Sequence, residues 1–200
     1  MPDRAAGEFQ KMKLHRKIFW GALCLGLLGA SWDAQAREGR YGLSATEVYA
    51  VVRAEGESLL FIDVRDPVEI QFVGFTDVVD GNIPFRLVDR TRLDRERGVF
   101  AMPLNPKFTE AVRAALRAKG LEDDAKIITM CRSGSARGEP SAEFLRENGF
   151  PNAFFVRHGF QGDTVTEGPH KGMRLKNGWQ NEGLPWRPCM NPDKVYVPDS

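Results

Sequence analysis

The chain is short of the residues that build metal centres and disulfide frameworks: its 200 residues hold three cysteines and three histidines. Cys24 and His15 fall within the first 36 residues, which leaves Cys131, Cys189, His158 and His170. Their spacings match no zinc pattern, so no metal and no other cofactor is expected. An excess of either charge is also missing, since 28 Lys and Arg stand against 27 Asp and Glu. Binding to a phosphate backbone requires a concentrated basic surface, so a nucleic-acid partner is not expected. The chain contains neither an internal repeat nor a low-complexity tract.

Long apolar runs are absent with one exception, Ile18 to Trp32, which follows Lys11, Lys13, Arg16 and Lys17 and precedes Ala34-Gln35-Ala36. A basic stretch, an apolar stretch and a small-x-small site in that order form a secretory signal. The run is shorter than a membrane-spanning helix requires. The expectation is therefore a signal peptide over residues 1–36, cleavage before Arg37, a periplasmic location and no stable membrane insertion afterwards. That leader takes five bases and three acids with it, so the 164 residues left of 200 keep 23 bases and 24 acids. Such a length suits one domain with a sizeable core.

Past the leader, helix and strand signals alternate. Ser44-Ala45-Thr46-Glu47 reads as a capping box opening a helix to about Ala54, and Leu59 to Val64 reads as a strand. Asp66-Pro67-Val68-Glu69 restarts a helix, and Asn105-Pro106 caps another whose face is Phe108, Val112, Ala115 and Leu116, ending at Gly120. A strand from Ile127, a helix through Leu145 closed by Gly149 and the strand Phe154-Phe155-Val156 complete the pattern. This alternation predicts an α/β fold with a parallel sheet and helices on both faces.

The chemistry concentrates in Ile127-Ile128-Thr129-Met130-Cys131-Arg132-Ser133-Gly134-Ser135-Ala136-Arg137-Gly138. A strand of this kind delivers its last residue, Cys131, to the carboxyl edge of the sheet, where open α/β folds collect ligands. Ser133, Gly134 and Ser135 are small enough for the backbone to curl with its amides inward, and such a nest binds anions. A helix starting between Arg137 and Pro140 adds its positive dipole end, and Arg132 and Arg137 add two charges. A cysteine among such groups ionises readily, so Cys131 is expected to be a nucleophile rather than a core filler.

At this point the chain resembles the rhodanese-like sulfurtransferases, over about Ser44 to Trp186. The resemblance is carried by Leu60-Phe61-Ile62-Asp63-Val64-Arg65-Asp66, like a strand ending in Asp-x-Arg, by Gly81-Asn82-Ile83-Pro84, by the Cys131 loop, and by Gly159-Phe160-Gln161-Gly162-Asp163 with Asn177-Gly178-Trp179 and Gly183-Leu184-Pro185-Trp186. It implies a rhodanese-like three-layer α/β domain over residues 37–186, of the exported bacterial type, with a C-terminal tail over 187–200. It also implies a two-step reaction. The Cys131 thiolate takes the outer sulfur of a small sulfur-containing anion such as thiosulfate and releases sulfite. Cyanide or a thiol acceptor then removes the sulfur from the persulfide. Arg132, Ser133, Gly134, Ser135, Ala136 and Arg137 would bind the donor.

One departure bears on substrate. Five residues separate Cys131 from Arg137, where many single-domain members of the family have four. Five is also the loop length of cysteine phosphatases and of arsenate reductases built on this fold. Against phosphoryl chemistry, Met130 stands where those enzymes have His, and Arg132 to Ala136 hold no carboxylate to protonate a leaving group. Glu139 and Asp63 are the nearest candidate donors. A non-enzymatic sulfur carrier is the further alternative.

The rest of the chain carries weaker signals. Gly74 to Asn105 reads as irregular apart from Gly81 to Phe85, and its charged run Asp89 to Arg97 reads as a solvated loop. His158 reads as a turn residue, while Trp179 and Trp186 are expected to pack the C-terminal segment onto the domain. Cys189 is expected to be a free thiol in a mobile, proline-containing tail.

Overall fold

The computed structural model describes residues 39–198, so the leader expected over residues 1–36 lies outside the described residues. In chain order the elements are β1 (Gly42–Leu43), α1 (Ala45–Glu55), β2 (Leu59–Asp63), α2 (Pro67–Val73), β3 (Gly81–Asn82), β4 (Asp89–Asp94) and β5 (Val99–Ala101). They continue with α3 (Phe108–Ala118), β6 (Lys126–Met130), α4 (Gly138–Glu147), β7 (Ala153–Val156), β8 (Asp163–Thr164), β9 (Arg174–Lys176) and α5 (Gly178–Asn181).

The capping box expected at Ser44 forms, and the helix restart at Asp66 proves to be a second one. The Ser44 hydroxyl accepts from the Glu47 amide while Glu47 accepts from the Ser44 amide, and Asp66 with Glu69 repeats the arrangement at α2. Two backbone donors are satisfied reciprocally at each helix start, which fixes where the chain turns out of the sheet. Pro67, at the first position of α2, lacks only an N–H that would have had no partner inside the helix.

The main sheet has the order β1-β7-β6-β2-β3, and all of its pairs are parallel. Buried parallel strands need apolar side chains on both faces, and β2 supplies them alternately. Leu60 and Ile62 join Phe108, Val112 and Leu116 of α3 and Ala142 and Leu145 of α4. Leu59 and Phe61 face Val48 of α1, Ile70 of α2 and Trp179 of α5. Helices therefore cover both faces, as the alternating pattern requires. From β2 the chain runs first to β3 on one side and then, through β4, β5 and α3, to β6 on the other side of β2. That reversal makes the carboxyl ends of β2 and β6 the topological switch point, the usual ligand crevice of open α/β sheets.

Two expectations are corrected. The charged run Asp89 to Arg97 is no open loop: β4 and β5 pair antiparallel as a hairpin, with an irregularity between Asp89 and Leu93. Both faces of this ribbon stand largely in solvent, so its side chains lack the alternation that marks a half-buried strand. The C-terminal segment is not loose either. Phe75 and Arg187 exchange two main-chain hydrogen bonds of 2.8 Å, Lys194 Nζ donates to the Asp77 and Val79 carbonyls, and Met190 and Val195 pack on the core. Cys189 lies exposed and unpaired on this docked segment. No helix of the described residues is long and apolar enough to cross a membrane.

Candidate active site

Cys131 follows the last residue of β6 at the switch point and is fully buried. Its carbonyl accepts from the Phe160 amide at 2.7 Å, and the Arg132 carbonyl accepts from the Gln161 amide at 2.9 Å. These two bonds tie the start of the loop to the turn after β7. Farther on, the Glu139 amide donates to the Gly134 carbonyl at 2.9 Å, which closes the loop onto the first turn of α4. The Thr129 hydroxyl donates to the Gly138 carbonyl at 2.9 Å, so strand, loop and helix are fastened at both ends.

Between those ties the backbone is unpaired. Among the described residues, no main-chain N–H from Arg132 through Gly138 donates a hydrogen bond to a protein acceptor. A consecutive series of main-chain donors without protein acceptors at a helix N-terminus is the composition of an anion nest. Cys131 lies at its base, with the Sγ atom 3.5 Å from where a Cβ on Gly138 would stand.

Two glycines let the loop sit there. Gly134 has φ +84°, and a Cβ on it would come within 2.6 Å of the His158 amide nitrogen. Gly159 has φ +60°, and a Cβ would meet the Cys131 carbonyl oxygen at 2.3 Å. His158 adopts φ 62° and pairs its Nδ1 with Asp163 Oδ2 at 2.7 Å, which agrees with its reading as a turn residue.

The predicted site residues do not all act alike. Ser133 is half-buried, Gly134 is buried, and Ser135 and Ala136 are exposed at the lip. Arg132 is exposed, and its Nε donates to Gln161 Oε1 at 2.7 Å. Partial burial, then the neighbouring Arg174, Arg137 and Arg65 guanidiniums, draw Arg132 below the usual arginine value against the pull of Glu69. Arg132 thus stands near other guanidiniums at the mouth of the nest. Arg137 is buried and doubly bonded to Glu69: Nη1 reaches Oε2, and Nη2 reaches Oε1 at 2.7 Å. Burial disfavours the charged Arg137, but the Glu69 hydrogen bonds and charge, with lesser help from Cys131 and Asp63, hold it above its ordinary value.

Glu69 is the partner of the cysteine loop that sequence reasoning missed. Its position in the capping box explained it locally, and nothing in the sequence links it to Arg137, 68 positions away. Asp63, by contrast, does not serve as a proton donor for phosphoryl chemistry, because both its oxygens bind the buried Arg65 guanidinium. Arg65 in turn lies over the Phe160 ring, Cζ 4.1 Å from the centroid, beneath the turn that carries the Cys131 loop.

The Glu69–Arg137 pair carries a testable pH dependence. Burial alone would raise the Glu69 carboxyl, but Arg137 outweighs it and holds Glu69 below the 4.5 of an unperturbed glutamate. A depressed carboxylate stabilises the fold fully above its unfolded value, and that contribution disappears as pH falls through the folded one. Glu69→Gln is expected to lower stability at neutral pH by about 1–2 kcal/mol, since Gln keeps one acceptor but leaves Arg137 uncompensated. Thermal melts between about pH 5 and 3 should show a shallower acid loss in the variant than in the wild type; identical slopes would remove Glu69 as the titrating group.

No family model matches the chain, and no curated protein matches it. Solved structures do. The Rv0390 protein of M. tuberculosis is 26% identical, with 74% of this chain and 96% of that chain covered and a TM-score of 0.52. A rhodanese-related protein of Thermoplasma volcanium is 21% identical, with 74% and 97% covered and a TM-score of 0.40. The polysulfide-sulfur transferase homodimer of Wolinella succinogenes is 21% identical, with 80% and 89% covered and a TM-score of 0.41. The parallel five-stranded sheet, the buried Asp63–Arg65 pair at its switch point and the cysteine loop between β6 and α4 make this chain rhodanese-like in fold.

Proposed function

We propose that this protein is a sulfurtransferase that carries sulfane sulfur on Cys131. The observation behind this reading is the series of unpaired amides from Arg132 to Gly138 in the loop that follows a buried thiol. In the first step the Cys131 thiolate attacks the outer sulfur of a donor such as thiosulfate. The new bond joins the two sulfurs, the S–S bond of the donor breaks, and its electron pair leaves with sulfite. The negative charge that arrives on the outer sulfur of the persulfide is met by fixed N–H dipoles, which need no rearrangement to receive it. That sulfur lies about 2.0 Å beyond Sγ, so transfer also moves the reactive atom out of the buried position and into the nest. In the second step cyanide, or a thiolate, attacks the outer sulfur and the Cys131 thiolate departs.

Arg132 draws anions to the mouth, whereas Arg137, neutralised by Glu69, holds the shape of the loop. The leader pattern from Lys11 to Ala36 supports export to the periplasm as part of the same proposal. Incubation of the purified protein with thiosulfate tests the reaction. The expected result is a protein one sulfur atom heavier, with the added mass on the Cys131 peptide and removed by cyanide. An unchanged mass, or sulfur found on Cys189 instead, would overturn the assignment.

A further inference from the structure

The β4–β5 hairpin does something that a reaction between small inorganic ions does not require. Together with Ala136 and Arg137 of the cysteine loop, it encloses an open cleft of about 710 Å³. That is the size of sites for drug-sized organic ligands, and a small inorganic donor or cyanide would fill little of it. The lining is also of a particular kind. Arg86, Arg92 and Arg97 line the cleft beside Arg137, and the Arg92 side chain, 3.9 Å from Asp89 Oδ2, is 67% exposed. Arg97 has no side-chain partner among the described residues. The one acid of the lining, Asp94, accepts the amides of Glu96 and Arg97 at 3.1 and 3.0 Å and so serves the hairpin turn. Beside these charges, Val99 and Phe100 remain 45% and 44% exposed.

We propose that this cleft is the subsite for the organic part of the sulfur acceptor, and that the acceptor is a thiol carrying both a carboxylate and an apolar group. The inference rests on the sulfur-transfer reading above and adds the substrate class. A guanidinium binds a carboxylate through two parallel hydrogen bonds, and the exposed Val99 and Phe100 offer apolar area next to it. The geometry gives the order of events. The donor occupies the nest and leaves as sulfite, the persulfide's outer sulfur then stands in the nest beside Arg137, and the acceptor approaches from the cleft that shares Arg137 and Ala136. Its thiolate attacks that outer sulfur, the bond to Cys131 Sγ breaks, and the electron pair returns to Cys131. The product is an organic persulfide, and no external oxidant or reductant is needed.

The probe is N-acetyl-phenylalanyl-cysteine, which carries a thiol, a ring and a free carboxylate, compared with its C-terminal amide, which differs only in charge. Both are assayed as acceptors with thiosulfate as donor, alongside cyanide, for wild type and Arg92→Glu/Arg97→Glu. The expected result is a KM for the carboxylate acceptor that rises on the order of tenfold in the variant, with cyanide kinetics and the amide's KM unchanged. Equal changes for acid and amide, or none for either, would overturn the proposal. A second measurement does not depend on turnover. Calorimetry with the S-methylated probe, which cannot react, should show binding to wild type that is lost in the variant. Absence of binding to wild type would reject the cleft as the subsite even where thiosulfate and cyanide turn over. Binding without sulfur loading of Cys131 would instead leave the cleft standing and remove the reaction.

Discussion

Cys131→Ser is expected to lower thiosulfate-dependent thiocyanate formation by on the order of 10⁴-fold or more. The substitution changes one buried atom. A serine hydroxyl is protonated at neutral pH and forms no stable analogue of a persulfide, so the whole two-step route is lost rather than slowed at one step. The fold should remain. The side chain is of similar size, so a shift in Tm of no more than about 2–4 °C is expected, the equivalent of about 1 kcal/mol for a domain of this length. The same pair of proteins, assayed with an aryl phosphate and with arsenate, separates the alternative readings. Phosphate release that requires Cys131 would replace the sulfur reading with a phosphoryl one. Loading of Cys131 without turnover would make the protein a carrier. Thiocyanate formation surviving in Cys131→Ser would remove the persulfide altogether.

Most of what positions this site was legible because its determinants are local. Ser44 with Glu47 and Asp66 with Glu69 announce helix starts within four residues, and both boxes form. The apolar run into Cys131 could hardly be anything but a strand, and the small residues after it could hardly pack, so strand, loop and helix followed from one short stretch. What escaped was what depends on distant partners. Glu69 satisfies the Asp66 amide and Arg137 at the same time, and only the first role leaves a trace in sequence. Reading Arg137 as a free charge for the substrate was therefore incomplete. Its guanidinium is matched by a carboxylate, whereas Arg132, near Arg174, donates to the neutral Gln161.

The hairpin escaped for a different reason. Sequence patterns report burial, and a ribbon with both faces open has no buried side to report: Arg90, Arg92 and Leu93 are all exposed. The docked C-terminal segment is held by main-chain bonds to Phe75 and by Lys194, contacts that composition does not encode. Proline content there signals an absence of helix, and mobility does not follow from it.

Gly159→Ala is expected to be strongly damaging although it leaves every reacting group in place. Two costs arise. A residue with a Cβ pays about 1–2 kcal/mol for the left-handed conformation at φ +60°. The new methyl would also stand 2.3 Å from the Cys131 carbonyl oxygen and 2.8 Å from the Gly134 nitrogen, both main-chain atoms of the loop. Backbone cannot rotate aside as a flexible side chain can, so the loop must move, breaking the Phe160-to-Cys131 bond that anchors it. The total should reach about 3–5 kcal/mol, a fall in Tm of roughly 6–20 °C. Gly168→Ala is the matched control, because Gly168 has φ +76° with nothing within 4 Å of the added Cβ. It should show only the conformational cost. Stability alone would not prove that Gly159 serves the site, so the decisive quantity is sulfur loading per folded molecule, measured well below the melting transition. Displacement of the Cys131 carbonyl should lower it by about tenfold or more, whereas Gly168→Ala should load fully. Normal loading in a destabilised Gly159→Ala would mean that the loop keeps its shape without the anchor, and that the turn after β7 contributes to the fold but not to the nest.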